Sequence, residues 1–121
     1  MNPAIMKLIA AMIVVDSGGV NDAIGRRGEV GCLQITPAVI EDINRFQSAV
    51  RFELQNALDR EMSITICRIY LGEYATAARI GREPTLEDMA RIWNGGPTGW
   101  FKETTVPYWR KVSAQMLGGA R

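Results

Sequence analysis

Apolar residues recur at helical spacing in five stretches of this chain, each bracketed by a capping residue, proline or glycine. Asn2-Pro3 opens the first, and Ile5, Leu8, Ile9, Met12 and Ile13 carry its apolar face to Val15 or Asp16, where Ser17-Gly18-Gly19 stops it. Thr36-Pro37 opens the second, with Val39, Ile40, Ile43 and Phe46 on one side. Gln47 to Leu58 carries mixed signals and predicts a loop with one helical turn or more. Asp59 caps a long helix from Arg60 to about Arg79, with a stripe of Ile64, Cys67, Tyr70 or Leu71, Tyr74 and Ala78; this is the expected central buried helix, ended by Gly81. Thr85, followed three residues later by Asp88, predicts a capped helix over Leu86–Trp93 that breaks at Asn94-Gly95-Gly96-Pro97. Thr105 and Pro107 begin the last helix, with Tyr108, Val112, Gln115 and Met116 roughly on one face and Gly118-Gly119 at its close. Residues 18–31 hold five glycines and four charged side chains, which suits turns and at most a short hairpin. The pattern predicts an all-α chain of about five helices. No repeat, linker or low-complexity segment interrupts it, so residues 1–121 are expected to form a single domain.

Composition narrows the chemistry more than the fold. With 121 residues, 47% of them hydrophobic, the chain can bury a core without staples or metals. Its 14 Lys plus Arg nearly balance 13 Asp plus Glu, so no global field calls for a nucleic-acid or membrane partner. Eleven of the cations are Arg, which permits local carboxylate recognition. There is no His, which removes His-based triads, His-ligated zinc and His general bases. Catalysis must rest on carboxylates, Tyr, Lys or Cys, and no metal or cofactor is expected. Cys32 and Cys67 lie in apolar surroundings, GCLQI and TICRIY, and are expected to be buried free thiols. No apolar run approaches the roughly 18 residues of a membrane span. Ile5–Val15 lacks a small-residue cleavage site after it, so it is read as a structural helix and an export signal is expected to be absent.

The stretch from Val15 to Pro37 concentrates the candidate chemistry. Asp16 ends an apolar helix and faces a glycine-rich segment, an arrangement that suits a cleft where a bulky ligand approaches backbone. The negative end of the helix and the apolar surroundings both act to raise the pKa of its carboxyl. The plainer alternative is an Asp that only ends a helix and bonds to loop amides. Glu29, thirteen positions on, is a second candidate carboxylate, with pairing to Arg26 or Arg27 as its structural alternative; Asp22 has a weaker claim.

Four pieces in order, Asp16-Ser17-Gly18-Gly19, Asn21-Asp22-Ala23-Ile24-Gly25, Gly28 to Ile35 (GEVGCLQI) and Ala90 to Pro97 (ARIWNGGP), resemble the lysozyme-like superfamily. Within it the chain is most similar to the transglycosylase SLT-type domain, related to goose-type lysozyme. Arg91 through Gly99 with Tyr108-Trp109 also resembles the invertebrate-type lysozyme pattern. The resemblance spans nearly the whole chain. It implies a lysozyme-like fold and cleavage of the β-1,4 bond between N-acetylmuramic acid and N-acetylglucosamine in peptidoglycan.

On this resemblance Asp16 stands where the family has its essential Glu, before Ser17. One methylene less draws the carboxyl back by more than about 1 Å, a displacement that can cost roughly a hundredfold in rate. Glu29 is placed as base, as stabiliser of an oxocarbenium ion, or as partial compensation for Asp16. Gln34 and Asn94 match cleft positions that hydrogen-bond sugar amides or hydroxyls, with backbone capping the alternative for Asn94. Ser17 orients the acid or caps local amides. Tyr70 matches a Tyr that reaches the cleft or packs in the core. Trp93, Trp100 and Tyr108 are candidates for stacking on sugar, and Trp100, on a glycine-flanked loop, is the one expected to be exposed. The resemblance leaves open a hydrolase or a lytic transglycosylase, and a catalytically silent protein that binds peptidoglycan or chito-oligosaccharide is the alternative. The expected partner is an N-acetylated glycan, met by a monomer at the cell wall, whether periplasmic, extracellular or phage-associated.

Overall fold

The computed structural model describes residues 2–118. Helix α1 (Pro3–Ser17) starts where the Asn2 side chain accepts from the amide of Ala4 at 2.8 Å, and it ends on Gly18, whose N–H bonds back to Val14 at 2.8 Å. It buries Leu8, Ile9, Met12 and Ile13 of the stripe read from the sequence, and Ala11 beside them, with Ile5 packed at the edge.

Residues 18–36 form no continuous strand. The expected hairpin is reduced to two isolated antiparallel bridges, Ile24 with Val30 and Val30 with Ile35. The segment is pressed hard against its neighbours. A Cβ on Gly31, at φ +86°, would lie 1.8 Å from the carbonyl oxygen of Ala57, so only glycine allows the approach.

Helix α2 (Pro37–Phe46) is capped by Thr36 and buries Ile40 and Ile43. Asn44 then clamps the following loop, donating to the carbonyl of Phe52 and accepting from its N–H, both at 2.9 Å. A 3-10 helix, Leu54–Leu58, forms in this region, where one helical turn or more is expected. Asp59 caps α3 (Arg60–Tyr74), as its position in the sequence predicts.

The predicted helix from Arg60 to Arg79 is two helices. Ala75 leaves helical geometry, Thr76 caps a new helix α4 (Ala77–Ile80) by accepting from Arg79 N, and Gly81 ends it. Thr76 competes for backbone donors as an N-cap does, so the apolar period does not carry through. The buried face of α3 is Ser63, Ile66, Cys67, Tyr70 and Leu71; Ile64 is half-buried and Ala78 is exposed. Helix α5 (Leu86–Gly95) has the predicted capping box, Thr85 with Asp88, reinforced by Arg82 forking onto Asp88 at 2.6 and 3.0 Å. After two 3-10 turns, Gly99–Phe101 and Glu103–Thr105, helix α6 (Val106–Met116) closes the fold. Gly118 follows it at φ 77°, and Gly119 lies outside the described residues.

Helix α5 touches α1, α3 and α6, and α3 packs on α2 and on the 3-10 turn before it. The apolar side chains these elements bury form one cluster. Cys32 and Cys67 lie in it as free, fully buried thiols, in agreement with their apolar flanks. Among the described residues no helix is long and apolar enough to cross a membrane.

Candidate active site

Asp16 occupies the last turn of α1 and opens onto a cleft of about 750 Å³. Residues 29–39 contribute Glu29, Leu33, Gln34, Thr36 and Val39 to one wall. Asn94, Gly96, Pro97, Thr104 and Lys111, from the end of α5 to α6, contribute to the other, and Tyr70, Trp93 and Tyr108 complete the lining.

Two donors converge on one oxygen of Asp16. The Tyr108 hydroxyl and the Trp93 indole N–H each donate to Oδ2 at 3.3 Å. Oδ1 accepts from no protein donor among the described residues. Burial disfavours the carboxylate and outweighs both hydrogen bonds, so the pKa of Asp16 is pushed up to about 7. Burial therefore favours the protonated carboxyl near neutral pH, the form a general acid needs.

Glu29 has the opposite environment. Its own backbone N–H and that of Arg27, the latter bonded to Oε1 at 2.8 Å, hold its carboxyl below the usual range. No ion pair joins it to Arg26 or Arg27 among the described residues, so the amides supply most of the shift and the charge of Arg27 adds to it. One cleft thus carries a carboxyl shifted up and a carboxyl shifted down, the pattern that separates an acid from a base.

Gln34 takes a left-handed backbone, φ 50°, unusual for a residue with a side chain. Its amide nitrogen donates to the carbonyls of Gly31 at 2.9 Å and Ala23 at 3.3 Å, which ties the glycine-rich segment together. Its Oε1 and the Oε1 of Glu29 both lie against Gly25, where a Cβ would meet them at 2.5 and 2.4 Å. Gln34 and Glu29 are therefore neighbours packed on one bare backbone position.

Tyr70 meets both of its expected readings. It is 4% exposed, packed edge to face with Tyr74 and Trp93, and still lines the cleft. Asn94 is exposed on the cleft and bonds to no protein group among the described residues, so it does not cap its own backbone. Ser17 serves the helix end: its hydroxyl donates to Ile13 and accepts from Gly19 N, and it does not line the cleft.

Trp100 lies elsewhere. It is half-buried, stacked edge to face on Phe101, with the Arg82 guanidinium 5.9 Å from its ring, and it lines no part of the cleft. The loop reading failed because 99–105 is pinned down. Arg91 bonds to the Thr105 hydroxyl at 2.8 Å and to the Lys102 carbonyl at 2.9 Å, and buried Thr105 donates to Gly99 at 2.7 Å. Phe101, not Trp100, is the exposed ring. Asp22 is also exposed away from the cleft.

The pinned segment forms a fixed wall. Arg79 adds a bond to the Pro97 carbonyl at 2.9 Å, and Lys102 another to Gly95 at 2.8 Å. None of these ties shows in the sequence, because they join residues by position in space. Trp93 and Tyr108 were legible only as aromatic candidates, and Thr104 and Lys111 carried no signal. Among the described residues no group of three or more acids or cysteines converges as a metal site.

The fold is similar to two solved structures. One is a crystal structure of Aeromonas hydrophila PliI in complex with Meretrix lusoria lysozyme, at 26% identity and a TM-score of 0.73, over 88% of this chain and 85% of that one. The other is Tapes japonica lysozyme, at 24% identity and a TM-score of 0.72, over 88% and 85%. No family model and no curated protein matches the sequence. The fold is lysozyme-like and mostly helical, as the sequence predicts.

Proposed function

We propose that this chain cleaves the β-1,4 bond between N-acetylmuramic acid and N-acetylglucosamine in peptidoglycan, with Asp16 as general acid. The observation that carries the reading is a half-buried carboxyl with a pKa of about 7 on a cleft large enough for sugar rings. The likeness to lysozyme structures supports it, and so does the motif order from Asp16-Ser17 to Asn94-Gly-Gly-Pro, which favours a transglycosylase-type or invertebrate-type relative.

Asp16 gives its proton to the glycosidic oxygen as the bond from that oxygen to C1 breaks. The cation developing at C1 is stabilised by ionised Glu29. Water then adds to C1 in a hydrolase, or the sugar's own 6-hydroxyl in a transglycosylase, and the proton released returns to a carboxylate. Pinning Oδ2 by Tyr108 and Trp93 leaves Oδ1 to deliver the proton.

Mass spectrometry of purified peptidoglycan after incubation with the wild type, Asp16→Glu and Asp16→Asn tests this. Reducing-end products mean a hydrolase and anhydro products a transglycosylase. Asp16→Glu is expected to raise the yield and Asp16→Asn to abolish it. If none of the three gives product while the protein still sediments with sacculi, the silent binding reading replaces this one. Asn94→Ala should then weaken sedimentation.

A further inference from the structure

Among the described residues, Lys111 is the single cation whose side chain lines the cleft. It stands on α6 three residues after Tyr108, so the same helix face that holds the acid presents an ammonium to the cleft. It is exposed, and among the described residues its side chain forms no ion pair and no hydrogen bond. Its charge is also uncommitted to the two cleft carboxylates: the environment of Asp16 is set by burial, Tyr108 and Trp93, and that of Glu29 by backbone amides and Arg27.

Three other cations near the cleft have structural work, and Arg27, outside the lining, places its charge beside Glu29. Arg79 holds Pro97, Arg91 holds Thr105 and Lys102 holds Gly95. On the wall that carries Lys111, Asn94 and Thr104 are likewise exposed and unbonded among the described residues. The facing wall carries Glu29 and a Gln34 whose amide nitrogen is spent on loop carbonyls. The cleft is therefore polarised, with a negative charge on one wall and a free positive charge with two free hydrogen-bonding side chains on the other.

We propose that Lys111, with Asn94 and Thr104 on its wall, binds a carboxylate carried by the glycan, so that the cleft selects acidic over neutral N-acetylated oligosaccharides. This rests on the glycan-cleaving reading and names the feature of the substrate that the site distinguishes. A neutral chito-oligosaccharide offers Lys111 no counter-charge. A muramic-acid sugar offers one in either of two places, the lactyl carboxylate on the ring or the carboxylates of a peptide attached there.

The test is tryptophan-fluorescence titration of the wild type, Lys111→Gln and Lys111→Arg with three tetrasaccharides of equal length: neutral N-acetylglucosamine, peptide-free N-acetylglucosamine–N-acetylmuramic acid, and its peptide-bearing form. The wild type is expected to favour an acidic ligand over the neutral one by about two- to fivefold. Lys111→Gln should bring that ratio near one, and Lys111→Arg should keep most of it. Preference for the peptide-free acid identifies the lactyl group; preference for the peptide-bearing form alone identifies the peptide. Equal affinity of the wild type for all three, or a ratio unchanged in Lys111→Gln, overturns the role of Lys111 and leaves the glycan reading standing. Binding of none of the three overturns the glycan reading and this inference with it.

Discussion

Tyr108 and Asp16, 92 residues apart in the chain, are joined by one hydrogen bond from the phenol to Oδ2 at 3.3 Å. That bond opposes burial: it favours the carboxylate, while burial favours the protonated acid. Tyr108→Phe keeps the ring and removes the donor, so the pKa of Asp16 should rise above about 7, by about half to one pH unit. Trp93→Phe should act in the same direction. Carboxyl-carbon NMR titration of Asp16 reads both, and an Asp16 that titrates at the same pH in Tyr108→Phe would place the phenol outside its environment.

The two carboxylates set the two limbs of a rate profile. Activity requires Asp16 protonated and Glu29 ionised, so kcat/KM should fall above about pH 7 and again below the ordinary carboxylate range. Asp16→Asn should cost about 10²- to 10⁴-fold below about pH 7, and progressively less above it, where the wild type has itself lost the proton. Turbidity clearing of sacculi across the range checks both, and an alkaline limb that stays at pH 7 in Asp16→Glu and Tyr108→Phe alike would assign it to another group.

Local signals were legible wherever the controlling residues are neighbours in sequence. Asn2, Thr36, Asp59 and Thr85 each cap the helix that follows them, and Gly18 and Gly81 each end one. The carboxylate-bearing cleft was legible too, because Asp16, Glu29 and Gln34 lie within one short stretch. One failure was local, and the others came from contacts distant in sequence. Thr76 splits a helix that the apolar period joins, and Trp100 is drawn out of the solvent because Arg91 and Thr105 hold its segment on α5. The donors on Asp16 come from α5 and α6, which the chain reaches only after 77 and 92 residues.

Two glycines of the same loop should respond in opposite ways. A methyl on Gly25 would meet the ends of the Glu29 and Gln34 side chains, which can swing aside. Gly25→Ala should therefore change stability by less than about 1 kcal/mol while displacing both groups and lowering activity by tenfold or more, on the order expected for misplaced catalytic groups. A methyl on Gly31 would strike the backbone carbonyl of Ala57 at 1.8 Å and hold a strained φ of +86°. Gly31→Ala should cost roughly 3 kcal/mol or more. Urea melts beside peptidoglycan assays separate the two, and a Gly25→Ala variant with full activity would detach Glu29 and Gln34 from the chemistry.

Asp16 also gives the fold a pH dependence of unusual sign. Its folded pKa of about 7 lies above its ordinary value of 3.8, so the folded chain holds this proton more tightly than the unfolded chain. Unfolding then releases a proton between those two values, and stability falls as pH rises through the window. Below about pH 4 the stabilisation from the neutral acid is whole; above about pH 7 the buried carboxylate is a fixed cost. Asp88 works the other way at the acid end. Burial opposes its ionisation, but Arg82 and Thr85 outweigh burial and lower its pKa, so its contribution is lost only as pH falls through that lowered value. The Asp16 part is isolated by difference: denaturant melts of the wild type and Asp16→Asn from pH 4 to 8 should diverge, the wild type losing about 3–4 kcal/mol relative to the variant. Parallel curves would mean that Asp16 is solvated and ionised throughout, and a carboxyl in that state has no proton to give to a glycosidic oxygen at neutral pH.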